Sequence, residues 1–306
     1  MKTTNVALML LLFLITAGCS FAQPTVFQTK PWNATLKIIG EDGQPISATD
    51  VSIAYIKPPY SFSDNPEYHG TISGVTDVNG TFSATHIDRS GSLGFSANKV
   101  GYYTTLSSRT LKFPEENAND RGISLTLVLK KISKPIAMYA KRINSLAVPE
   151  FNKAIGYDLM VGDWVGPYGK GVNADLFFTE KHIDPQSGYI LSVSFPKPGD
   201  GIQEFTMPDA EKGSSLRSSH EAPVDNYQRE LAQTETTNPN RNFYFRVRTK
   251  LDESGNVVSA RYGKIYGDLA QFTYYLNSTP NDRNVEFDPK QNLLGGLESL
   301  EGVSAP

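Results

Sequence analysis

Histidine is the scarcest catalytic residue type here, with four in 306 residues. His69, His86, His182 and His220 stand far apart, and none belongs to an HExxH or another short metal-ligand pair, so the sequence carries no zinc-enzyme signature. Ser218-Ser-His-Glu221 sets a hydroxyl, an imidazole and a carboxylate side by side. A triad needs them to converge in space, and sequence neighbours point apart, so an exposed polar loop is the simpler reading. Gly169-Lys-Gly-Val-Asn-Ala174 matches GxGxxA. A dinucleotide loop lies between a strand and a helix, whereas Pro167 precedes this one and a strand-like run (ADLFFT) follows it. Asp158, Asp163, Asp175 and Glu180 cluster in the same region. A glycoside hydrolase would need two such carboxylates roughly 5–9 Å apart in a cleft. The 32 acidic residues do not single out a pair. Residues 281–288 (NDRNVEFD) offer hard oxygens, with Asp282, Glu286 and Asp288 as candidate calcium ligands. The central glycine of an EF-hand loop is missing, and a turn stapled by Asx hydrogen bonds explains the composition more simply. Tyr157, Trp164 and Tyr168, in the glycine-rich segment 157–171, are candidate ligand-contact aromatics, as are Tyr60 and Tyr68. Rings stack on sugars, but they also fill cores.

The single cysteine, Cys19, sits behind a leader. Lys2 is followed by the unbroken apolar run 6–15 (VALMLLLFLI), then Thr16, Ala17 and Gly18. Ten residues reach about 15 Å as a helix, half the bilayer core, so a signal peptide fits better than a span. Thr16-Ala-Gly-Cys19 resembles a bacterial lipobox, which departs from the usual pattern only in having Thr for Leu at the first position. That resemblance implies lipidation of Cys19 and a membrane anchor. Ser20 at the next position implies an outer-membrane destination. Cleavage after Ser20-Phe21-Ala22 is the alternative and implies a periplasmic or secreted protein. Neither route leaves cysteines for an internal disulfide, so the exported body must fold on its hydrophobic core alone.

Composition is compatible with such a core. Hydrophobic residues make up 39% and charged residues 20%, which excludes a disordered chain. Lys and Arg number 29 against 32 acidic residues, for a net charge of −3, and no basic field marks a nucleic-acid partner. No motif calls for a cofactor. The length allows about two domains.

Residues 35–129 read as short strands and tight turns. Asp42-Gly43 and Asn79-Gly80 are hairpin signals, and 51–56 and 123–129 alternate with period two. Residues 36–46 (LKIIGEDGQPI), Val51-Ser-Ile53, 76–82 (TDVNGTF) and 99–103 (KVGYY) follow one another in an order that resembles a carboxypeptidase regulatory-like domain. The resemblance covers about a third of the chain and implies a transthyretin-like, seven-stranded β-sandwich. Such domains accompany zinc carboxypeptidases without being catalytic. Residues 57–74 are longer than that family's pattern and are expected to form an exposed loop.

Residues 130–147 hold a basic stretch between Pro135 and Pro149, expected as a solvated linker. Beyond it, hairpins are expected over 174–181 with 189–195, and over 242–251 with 257–266. In the latter, Phe243, Phe245 and Val247 face one way and Tyr244, Arg246 and Arg248 the other, as in a half-buried strand. Residues 272–276 add a strand. Residues 197–241 read as a long loop with two helical turns near 225–232. This half resembles only uncharacterised segments of bacterial envelope proteins.

The expectation is an all-β protein: a leader over 1–22, a transthyretin-like β-sandwich over 23–132, a second antiparallel β-rich domain with long loops over 133–294, and a flexible tail over 295–306. The function expected is a noncatalytic envelope module that binds a glycan, the wall or a protein partner, with a hydrolase using paired carboxylates as the alternative.

Overall fold

The computed structural model describes residues 32–56, 69–87, 92–110, 122–184, 188–234, 238 and 240–306. The leader, Cys19, Tyr60 and Tyr68 lie outside them. Every regular element among the described residues is a strand, as the all-β expectation requires.

The first seven strands are β1 (Trp32–Gly40), β2 (Asp50–Ile56), β3 (His69–Val75), β4 (Thr81–Ile87), β5 (Ser92–Asn98), β6 (Thr105–Thr110) and β7 (Gly122–Leu129). They form two sheets, β4-β1-β7 and β3-β2-β5-β6, with β1 and β7 running parallel. Alternation places Leu36, Ile38, Ile53, Leu93 and Leu127 in a shared core. The turn before β4 is closed by the Asp77 carboxylate, which accepts from the Asn79 and Thr81 amides at 2.9 and 2.8 Å. Gly80 supplies the positive φ of 70° that this turn needs. β3 corrects the loop expected over 57–74, because its last part pairs with all of β2. Glycines hide the strand in the sequence. The rings of Tyr55 and Phe82 fill the space where side chains of Gly70 and Gly74 would sit.

The remaining strands are β8 (Ile136–Ile143), β9 (Ile155–Asp158), β10 (Asp163–Trp164), β11 (Leu176–Asp184), β12 (Gly188–Ser194), β13 (Gly201–Phe205), β14 (Glu230–Thr234), β15 (Asn242–Leu251), β16 (Val257–Gly267), β17 (Phe272–Asn277) and β18 (Phe287–Asn292). A six-stranded sheet, β13-β15-β16-β17-β8-β18, faces a five-stranded one, β10-β9-β11-β12-β14. Phe178, Phe243, Phe245 and Tyr274 lie in the core shared by the two. Four expectations are revised. The basic stretch is not a linker: it contains β8, an interior strand whose Met138 and Ala140 are buried. The long loop contains β13 and β14, and segment 225–232 enters β14 rather than a helix, because residues 230–234 pair with β12. β15 is buried on both faces, since Tyr244, Tyr262, Tyr266, Tyr275, Val285, Phe287 and Val303 pack into a further cluster. Residues 295–306 are held rather than frayed. The Arg142 amide donates to the Glu301 carbonyl at 2.9 Å, Lys141 pairs with Glu301 at 2.8 Å, and the Tyr275 hydroxyl donates to the Ala305 carbonyl at 3.1 Å.

Candidate functional site

The glycine-rich segment brings two of the four candidate carboxylates together. Asp158 and Asp175 are 1% and 2% exposed. The Arg248 guanidinium lies between them, donating to Asp175 at 2.6 and 3.0 Å and to Asp158 at 3.0 Å. Arg248 reaches them because β15 is irregular there: its φ is +56°, and the strand register shifts between Val247 and Lys250. Asp200 fixes this bulge by accepting from the Arg248 and Thr249 amides at 3.2 and 2.8 Å. Asp158 also accepts from the amides of Met160, Val161, Val172 and Asn173, and Asp175 from that of Leu159. Burial raises the Asp175 carboxyl above the usual carboxylate range, while Arg248 works in the opposite direction. Every carboxylate oxygen of the pair is thus committed to a cation or an amide, which makes a staple for the loop rather than an acid and a base facing a cleft. Asp163 closes its own turn by accepting from the Trp164 and Lys170 amides, and Glu180 lies 3.5 Å from His182, apart from the pair.

The candidate aromatics divide. Tyr157 and Trp164 meet edge to face at 5.2 Å, Tyr157 within the core and Trp164 packed against it. Tyr168 is half-buried and hydrogen-bonded to Glu150 and Lys153. The structure does not gather the candidate calcium ligands. Asp282 accepts from the Asn284 amide, Asp288 from Lys290 and Gln291, and Glu286 points elsewhere. Among the described residues no group of three His, Cys, Asp or Glu side chains is placed to hold a metal.

The densest chemistry lies where the first seven strands meet the later sheets. The Tyr103 hydroxyl donates to Glu286 Oε1 at 2.8 Å, and the Ser133 and Lys134 amides donate to the same carboxylate at 2.8 and 2.6 Å. Burial and this carboxylate push the Tyr103 hydroxyl pKa up, so it remains a donor. Lys130 pairs with Glu211 at 2.9 Å and donates to the Ser218 carbonyl at 2.9 Å. Lys264, on β16, is 0% exposed. Its Nζ is 3.3 Å from Ser218 Oγ and 4.8 Å from the ring centroids of both Tyr266 and Tyr275. Burial holds Lys264 well below the usual lysine range. A serine beside a lysine of lowered pKa is a nucleophile–base arrangement in general. Here Ser218 is itself 0% exposed, and its hydroxyl accepts from Tyr266 at 3.1 Å. The group therefore works as packing and hydrogen bonding. The rest of Ser218-Ser-His-Glu221 diverges, as neighbours in a chain do: Ser219 bonds Tyr244, His220 bonds the Lys131 carbonyl, and Glu221 pairs with Arg283. Ser218 is nevertheless buried, contrary to an exposed loop.

Glu286→Ala is expected to cost about 2–4 kcal/mol in urea unfolding, because it strands two amides and a hydroxyl. Tyr103→Phe, which leaves the amides paired, should cost less. Additive losses in the double variant would disprove the coupling.

Beside this junction lies an open cleft of about 510 Å³. Leu106 of β6 forms one wall, residues 212–217 a second, and the ends of β8, β16 and β17 a third. Segment 213–215 is bound to β6: the Leu106 amide donates to the Gly213 carbonyl at 2.8 Å, and the Ser215 amide to the Thr104 carbonyl at 2.9 Å. A Cβ on Gly213 would lie 1.3 Å from the Leu106 carbonyl oxygen, so the segment can lie this close only as glycine.

Sequence reasoning missed Lys264, Lys130, Tyr103 and this cleft. One signal was present: Lys264 falls in phase with Ala260, Tyr262 and Tyr266 on β16, a cation on an apolar face.

No family model matches the chain, and no curated protein matches it. Solved structures superpose on parts of it. A 3-chlorocatechol 1,2-dioxygenase from Rhodococcus opacus is 15% identical over 34% of this chain and 62% of its own, with a TM-score of 0.26. A shaft pilin from Lactobacillus rhamnosus GG is 12% identical over 56% of this chain and 90% of its own, with a TM-score of 0.23. A major pilin from Corynebacterium diphtheriae is 9% identical over 78% of this chain and 61% of its own, with a TM-score of 0.26. At such scores the superpositions assign neither a family nor an activity.

Proposed function

We propose that the chain is a noncatalytic binding or assembly module of the bacterial cell envelope, exported by its leader and anchored through a lipid on Cys19. The observation that carries the noncatalytic reading is the fate of the carboxylates. Arg248 occupies the space between Asp158 and Asp175, the two candidate carboxylates that the fold brings together. The reading treats residues 23–132 as a carboxypeptidase regulatory-like β-sandwich, supported by two sheets of three and four strands within that span. Residues 133–294 form the second module, and the open cleft beside the junction is where a partner or polysaccharide would be met.

The anchor is tested by Cys19→Ser. The wild-type protein is expected in the outer-membrane fraction and the variant in the soluble one. Unchanged fractionation would remove the anchor from the proposal. Hydrolysis of envelope polysaccharide by the purified protein, abolished in Asp175→Asn, would overturn the noncatalytic role.

A further inference from the structure

We propose that the first sandwich bears tension, carrying load between an anchor ahead of β1 and a partner held by the later sheets. The load rests on the anchor and partner reading above, whereas the resistance to it is a property of the strands. β1 is the first described strand after Cys19, and from β7 the chain passes on to the later sheets. The two run parallel without a register break, with Asn33 opposite Gly122 and Gly40 opposite Leu129. The start of β1 and the end of β7 therefore lie at opposite ends of one ladder. Tension applied at those two points slides the strands along each other. The bonds of a parallel ladder are evenly spaced along the strands, so sliding loads all of them at once. An antiparallel first and last strand would put both points at one end, where bonds open one by one.

Side-chain packing adds to this resistance. Leu125, Leu127 and Leu129 of β7 share the core with Leu36 and Ile38 of β1. A slip of one residue would turn such alternating side chains to the wrong face. β1 is also the middle strand of β4-β1-β7, so drawing it out breaks its ladder with β4 as well. The junction supplies the second grip, at the end of β7. The Val128 amide donates to the Ala210 carbonyl at 3.0 Å, and the Leu106 amide to the Gly213 carbonyl at 2.8 Å. Thr105 Oγ1 donates to the Val128 carbonyl at 2.8 Å, which sets the start of β6 beside the end of β7. Just past β7, the Tyr103 amide donates to the Lys130 carbonyl and the Ile132 amide to the Gly101 carbonyl, each at 2.8 Å. Lys130 itself is paired with Glu211 at 2.9 Å. Load from the later sheets enters at this end, and the start of β1 is at the other.

The test is single-molecule force spectroscopy on the whole chain carrying Cys19→Ser, which leaves introduced cysteines as its only thiols for handles. Asn33→Cys with Lys131→Cys pulls the β1–β7 ladder from opposite ends. Glu41→Cys with Lys131→Cys pulls the same ladder from one end, because Gly40 stands opposite Leu129. All three positions are exposed, and an unfolding temperature equal to that of the Cys19→Ser parent shows that the handles leave the fold intact. At one loading rate, the first pair is expected to yield at a several-fold higher force than the second. Forced unfolding reads the unfolding rate rather than the equilibrium, so the two pairs differ in force while sharing one unfolding midpoint. Equal forces from both pairs, or a lower force from the first, would overturn the proposal. Equal forces leave the Cys19 anchor untouched. Unchanged fractionation of Cys19→Ser would instead remove the load and leave the strength of the ladder as measured.

Discussion

Arg248→Met is expected to destabilise the protein by about 3–5 kcal/mol at pH 7, the cost of breaking a buried ion pair from one side. The substitution keeps much of the side-chain volume and removes three charge-assisted hydrogen bonds, leaving Asp158 and Asp175 almost fully buried without a cation. Arg248 itself is about a quarter exposed, so water screens part of the interaction and the lower end of the range applies. The deficit should depend on pH. Burial already raises the Asp175 carboxyl in the folded state, and without Arg248 the opposing pull of the guanidinium is gone. A raised carboxyl contributes stability below the unfolded value near 4 and loses it as pH rises. The gap to wild type should therefore narrow on acidification from pH 7 to pH 5. Arg248→Lys keeps the charge but cannot bridge two carboxylates with a planar fork, and should recover only part of the loss. Urea unfolding at the two pH values measures both effects. A cost below about 1 kcal/mol would show that the aspartates do not need the arginine, and would reopen their use as an acid and a base.

Lys264→Met is expected to act in the opposite direction and stabilise the fold at pH 7 by about 1–4 kcal/mol, the range found when buried charged groups give way to apolar ones of similar volume. Among the described residues Lys264 has no carboxylate within ion-pair distance, and burial pushes its pKa down against the attraction of Glu286. The sign follows. A lysine whose folded pKa is lowered holds its proton less firmly in the fold than in the unfolded chain. Stability then rises with pH through the window below the ordinary lysine value of about 10.4. The wild-type unfolding midpoint should climb between pH 7 and pH 10, and the variant should lack that part of the climb. Methionine fills the lysine stem's volume between Tyr266 and Tyr275, and Ser218 keeps its hydrogen bond from Tyr266. A variant less stable than wild type at both pH values would mean that the 3.3 Å contact from Lys264 to Ser218 outweighs desolvation.

The all-β class was legible because period-two alternation and turn residues are local. Asp42-Gly43 and Asn79-Gly80 announce their turns through a backbone φ that glycine adopts freely. β3 and β8 were not legible, for two different reasons. In β3, glycines stand where neighbouring rings need space, and the alternation disappears. In β8, lysines and an arginine at one end suggested solvent, although Met138 and Ala140 face a covering layer. The carboxylates were visible as a group, but their use was not. Arg248 lies 90 residues from Asp158 in the chain and reaches it only because a bulge held by Asp200 turns the strand.

By itself the sequence determined the strands that alternate, the turns that need glycine, and the absence of any disulfide framework. These depend on one residue and its near neighbours. Tertiary structure alone decided which charges are staples and which have no ion-pair partner among the described residues. Arg248 is consumed by two aspartates, Lys264 is sealed among tyrosines, and Arg142 and Arg217 are left facing a cleft. The chemistry of a charge is set by what surrounds it at a few ångströms, and in this fold those surroundings come from strands distant in the chain.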